Sequence, residues 1–127
     1  MDWKNWIERD KAEQFRLMNK YASMLYDESG GLFRAIVSET TDGLSMWIIS
    51  TKCEDCWIKC IDLVRDSGVI YPARLILCLD PLNKGEYFRS NILLERLIQK
   101  YVGSNFVYSA LCNMDHAINK FNIECGV

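Results

Sequence analysis

Cysteine, histidine and aspartate are the residue types here that could do chemistry, and their spacing limits what that chemistry would be. The string Cys53-Glu-Asp-Cys56-Trp-Ile-Lys-Cys60 sets a Cys-x-x-Cys pair ahead of a third thiol. Far downstream, Cys112-x-x-x-His116 brings another thiol and the sole histidine. Cys53, Cys56, Cys112 and His116 together would make the three-thiolate, one-imidazole tetrahedron that zinc favours. The competing reading places Cys53, Cys56, Trp57, Cys60 and Val64 on one helix face, where cysteine behaves as a small buried hydrophobe. That second reading is the expectation, and it leaves the protein without metal or cofactor. Cys112 and His116 also suit a Cys–His dyad, provided the thiol is accessible and acidic.

Other catalytic signatures are absent from the sequence. It has no GxxxxGK[ST] loop, no GxGxxG, no HExxH and no GxSxG elbow. The order MWIIS, helix, RLILCLD, helix, NFVYS, MDHAINKFNIE is similar to the first half of a phospholipase D-like domain. That family carries His-x-Lys on a strand, whereas His116 and Lys120 stand four apart, so its activity is not inferred.

Aromatic residues are abundant, with 4 tryptophans, 6 tyrosines and 5 phenylalanines. Trp3 and Trp6 lie near the start of the chain, three residues apart, on a segment with helical periodicity. Tryptophan is a favoured interface anchor because it buries much area at low entropic cost. Glu39 and Asp42 lie in the following turn region and add acidic groups suited to a basic partner.

The elements that must position these groups read as follows. Residues 2–27 form an amphipathic helix stopped by Ser29-Gly30-Gly31. LFRAIVS and LSMWIIS form a hairpin joined across Asp42-Gly43. Thr51-Lys-Cys-Glu54 matches a capping box and predicts a helix to about Asp66. ARLILCLD reads as a covered central strand, residues 86–102 as a helix, NFVYSALC as a strand, and residues 115–121 as a short final helix. Alternating strands and helices after a hairpin predict one α/β domain over residues 1–127. Its sheet would be mixed and mostly parallel, of about four strands with flanking helices. Ligands would then gather at the carboxyl ends of the strands, which brings Asp80, Cys112 and His116 to one rim.

Composition narrows the classes further. The chain has 127 residues, half of them hydrophobic and a quarter charged, with a net charge of −2. That balance argues against a dedicated nucleic-acid binder. The charged N-terminal stretch lacks an apolar leader, and no apolar run is long enough to span a bilayer, so a cytoplasmic location with reduced thiols is expected. These features predict a non-catalytic protein-binding or inhibitor module, such as a toxin-neutralising immunity protein. The alternatives are a small enzyme or ligand-binding domain using the strand-end rim around Asp80, Cys112 and His116, and a structural zinc-binding domain.

Overall fold

The computed structural model describes residues 2–124. Helix α1 (Trp3–Glu28) begins at Asp2, whose side chain accepts from the Asn5 backbone N–H at 3.2 Å. It ends where the Ser29 N–H reaches the Leu25 carbonyl at 3.0 Å. Gly30 and Gly31 follow with φ of 63° and 80°, which glycine adopts without the penalty a Cβ would impose. Gln14, Leu17, Met18, Tyr21, Ala22 and Leu25 recur at helical spacing and form the buried stripe.

Five strands follow: β1 (Phe33–Glu39), β2 (Gly43–Ser50), β3 (Cys53–Val64), β4 (Ala73–Leu77) and β5 (Glu86–Phe88). They pair in sequence order, each antiparallel to the next. Helices α2 (Asn91–Val102) and α3 (Asn105–Glu124) close the chain. One face of the sheet carries Phe33, Leu44, Met46, Ile48, Ile61, Leu63, Leu75 and Phe88 into a core shared with α1, α2 and Val107 of α3. No helix among the described residues is long and apolar enough to cross a membrane.

The expected mostly parallel sheet is therefore wrong: the sheet is antiparallel and has five strands. Two misread segments account for the error. Residues 53–64 are a strand, not a helix. Their alternation is disguised because Met46 pairs with Ile61 while Trp47 pairs with Lys59, leaving Cys60 as an extra residue in a bulge. Cys60 and Ile61 are thus both buried, which breaks the period of two and imitates a helical stripe. Thr51 does not cap a helix. Its hydroxyl donates to the carbonyls of Gly31 and Leu32 at 2.8 and 3.0 Å, tying the β2–β3 turn to the end of α1.

NFVYSALC is the other misreading, being the first half of α3. Its β-branched and aromatic residues suggest a strand, but Val107, Leu111, Met114 and Ile118 continue one helical stripe through the whole segment. The predicted helix over 86–102 divides at Ser90. Residues 86–88 pair with β4, and the Ser90 hydroxyl accepts from the Leu93 N–H at 3.3 Å to start α2.

Gly43 has a steric role at the head of β2. A Cβ there would overlap the backbone carbonyl oxygen of Leu63, which the ladder holds in place. Gly43→Ala should cost about 2–3 kcal/mol, as overpacking against immobile atoms does. Urea unfolding of the variant checks this; an unchanged midpoint would show that the β2–β3 pairing can shift to make room.

Candidate functional site

The first turns of α1 project beyond the core. Burial begins only at Gln14, and Trp3, Trp6 and Ile7 are 63%, 43% and 44% exposed. Spacing of i, i+3 and i+4 puts these three on one helix face. The two indoles meet edge to face with centroids 5.1 Å apart, so they present one connected apolar surface.

Below them α1 forms one wall of a cleft of about 520 Å³. Glu8, Lys11 and Phe15 line that wall, and Glu39 at the end of β1, Thr40 of the β1–β2 turn and Arg65 also line the cleft. Glu39 and Asp42, singled out with Trp3 and Trp6 from sequence, are exposed at this turn. The turn is held by Thr40 N–H to Gly43 carbonyl at 3.0 Å and by Arg65 N–H to Asp42 carbonyl at 2.7 Å. Acidic Glu8 and Glu39 share the lining with basic Lys11 and Arg65, so its charge is mixed.

A polar network anchors this region. Arg65 donates from Nε and Nη2 to Gln14 Oε1 at 3.0 and 2.7 Å, and Gln14 is fully buried. Burial disfavours the charged guanidinium and lowers the Arg65 pKa. Tyr71 donates to Asn91 Oδ1 at 2.7 Å, and Asn91 donates to the Asp10 carbonyl at 3.4 Å, joining α2 to α1. Burial raises the Tyr71 pKa, keeping it a neutral donor.

Of the residues expected at a common rim of strand ends, Cys112 and His116 lie within α3 and not at or beyond the end of a strand, because residues 105–124 are helical. Asp80 sits in the turn after β4 and accepts from the Leu82 N–H at 3.0 Å. Cys112 and His116 are exposed on α3, one turn apart. The Cys112 thiol hydrogen-bonds with Tyr108 and raises that phenol's pKa. Cys53 and Cys56 lie at the β2–β3 turn, and the described residues contain no group of three or more Cys, His, Asp or Glu placed to hold a metal ion. Cys53, Cys56, Cys112 and His116 are thus not brought together.

Two features escaped the sequence reading. On the sheet face opposite the core, Trp47 and Trp57 meet at 6.5 Å, Lys59 lies 5.7 Å over Trp47, and Arg74 lies 5.9 Å over Tyr87. An apolar cleft of about 380 Å³ also opens where α1 ends, lined by Leu25, Leu32, Phe33, Val102, Val107 and Leu111. Its walls come from separate segments, so no local sequence signal announces it. Trp47 and Trp57 could have been paired from alternation, had β3 been read as a strand.

No family model matches the chain, and no curated protein or solved structure matches it significantly.

Cys60 and Cys78 stand apart from the accessible thiols. Burial pushes each up to about 12 from the ordinary 9.0, the nearby Cys78 adding to the effect on Cys60 and Asp62 to that on Cys78. A folded-state pKa raised in this way means that the native chain keeps protons the unfolded chain releases. The stability involved is fully present below pH 9.0 and is lost as pH rises from there to about 12. Cys60→Ala should flatten this alkaline loss of stability, whatever it costs in packing at neutral pH. Urea midpoints between neutral and alkaline pH check this, and equal slopes in variant and wild type would refute it.

Proposed function

We propose that this chain is a non-catalytic protein-binding module, gripping its partner with Trp3, Trp6 and Ile7 on the projecting end of α1. One observation carries the reading: an edge-to-face tryptophan pair stands exposed on the helix end ahead of the first buried position, Gln14. The cleft between α1 and the β1–β2 turn lies further along the same helix and supplies Glu8, Lys11, Glu39 and Arg65 as polar contacts. Its mixed charge suits a polypeptide segment with both apolar and charged side chains better than a uniformly basic one. Asp42 borders the same turn.

Asp80 accepts from the Leu82 N–H and Cys112 is engaged by Tyr108, local contacts that favour a binding role over catalysis by these groups. A protein inhibitor, of the kind an immunity protein represents, is one use for such a surface.

Substitution at the aromatic pair tests the proposal. Trp3→Ala/Trp6→Ala should keep the thermal midpoint of the wild type, because both side chains lie outside the core. Affinity for the stoichiometric partner should fall by about 2 kcal/mol or more, roughly thirtyfold in Kd. The Asp80→Ala/Cys112→Ala/His116→Ala variant should bind as wild type does. Undiminished binding by the tryptophan variant, or failure of native protein to retain any stoichiometric partner from its source cells, would overturn the reading.

A further inference from the structure

Cys53 and Cys56 stand three residues apart at the start of a strand, and their sulfurs are 2.7 Å apart. A regular strand cannot do this. Residues three apart point to opposite faces and lie about 10 Å apart along the chain. The contact exists because the ladder breaks there: Ser50 pairs with Cys53 but Ile49 pairs with Trp57, so 54–56 bulge from the sheet. The Trp57 indole N–H closes the same bulge by donating to the Glu54 carbonyl. The fold thus turns the chain back on itself and delivers one thiol to the other.

The other described cysteines lack this arrangement. Cys60 is buried, Cys78 is held as a neutral thiol by its surroundings, and Cys112 has a tyrosine as its neighbour. Cys53 and Cys56 are both half-buried, which leaves them within reach of a small oxidant. The Cys56 S–H points toward the Cys53 sulfur, and this contact raises the Cys56 pKa.

We propose that Cys53 and Cys56 form a reversible redox pair, closed to a disulfide by a peroxide-class oxidant and reopened by a dithiol. The Cys53 sulfur attacks one peroxide oxygen, the O–O bond breaks, and a first water leaves with the thiol proton, giving a sulfenic acid. The Cys56 sulfur attacks that sulfur, the S–S bond forms, the S–O bond breaks, and a second water leaves with the Cys56 proton. Two electrons pass from the sulfur pair to the peroxide. A dithiol reverses the change through a mixed disulfide, becoming a disulfide itself while both cysteines regain their protons. Closure fixes the bulge that carries Trp57. The pair operates independently of any partner held by Trp3 and Trp6.

Hydrogen peroxide applied to the reduced full chain, followed by alkylation, digestion and mass measurement, tests this. The peptide spanning residues 53–56 should become lighter by the mass of two hydrogens before Cys112 is consumed, and dithiothreitol should restore it. Cys56→Ser should stop at the sulfenic acid on Cys53, trapped by dimedone, with no disulfide. Cys112→Ser should oxidise as wild type does. Three results would overturn the proposal: Cys53 and Cys56 surviving as thiols after Cys112 has reacted, closure no faster in the folded chain than in urea, or a stoichiometric metal shielding both sulfurs.

Discussion

Everything in this structure depends on α1 covering one face of an antiparallel sheet. A five-stranded meander leaves two faces to be dealt with, and hydrophobic side chains on strands must be buried against another layer. Leu17, Met18, Tyr21, Ala22 and Leu25 supply that layer over β1 and β2, and Leu94, Ile98 and Tyr101 of α2 extend it toward β4 and β5. Each large side chain taken fully out of water contributes about 1.5–3 kcal/mol. The opposite face is managed differently. There Lys59 and Arg74 lie over Trp47 and Tyr87, long charged side chains that shelter aromatic rings while keeping their charges in water.

Direction along that interface is set by polar contacts. Packing alone would allow α1 to slide, since one apolar stripe on a sheet resembles the same stripe moved by a turn. Gln14 is the first buried position of the helix, and it receives two hydrogen bonds from Arg65 just after β3. A fully buried amide that lost these donors would leave its oxygen unsatisfied, so the registry with Arg65 is strongly preferred. At the other end, Thr51 binds the carbonyls of Gly31 and Leu32, and Lys20 and Tyr21 both reach Glu95 on α2 at 3.2 Å.

The sequence discloses the parts governed by local rules and conceals those governed by pairing. Helix α1 and the β1–β2 hairpin are legible, because the 3.6-residue stripe and the Asp42-Gly43 turn are local signals. Residues 53–64 are not. Their two irregularities, at Cys60 and at 54–56, exist only in relation to β2, and each shifts the alternation that marks a strand. Misreading that strand, and reading residues 105–112 as another, turned a meander into alternating strands and helices and put Cys112 at a strand end. The same helical assumption put Cys53 and Cys56 on one face for the wrong reason. Trp3 and Trp6 were legible as candidates, since their position near the helix start needed no knowledge of the sheet.

The geometry of α1 also explains why that pair is left uncovered. At about 1.5 Å per residue, a helix of 26 residues is roughly 39 Å long. Its buried positions run from Gln14 to Leu25, a stretch of only about 18 Å. Folding of the sheet therefore needs the second half of the helix and leaves the first without a layer to rest on. Isolated helical turns are marginal in water, and this extension is held by its continuity with the packed half, by the Asn91 contact at the Asp10 carbonyl and by the Asp2 cap. A segment maintained only for solubility would carry polar residues throughout. Instead it carries two tryptophans and an isoleucine on one face, between charged residues on the others. Apolar surface of that kind gains free energy only on meeting another surface, and the core of this chain has already closed without it.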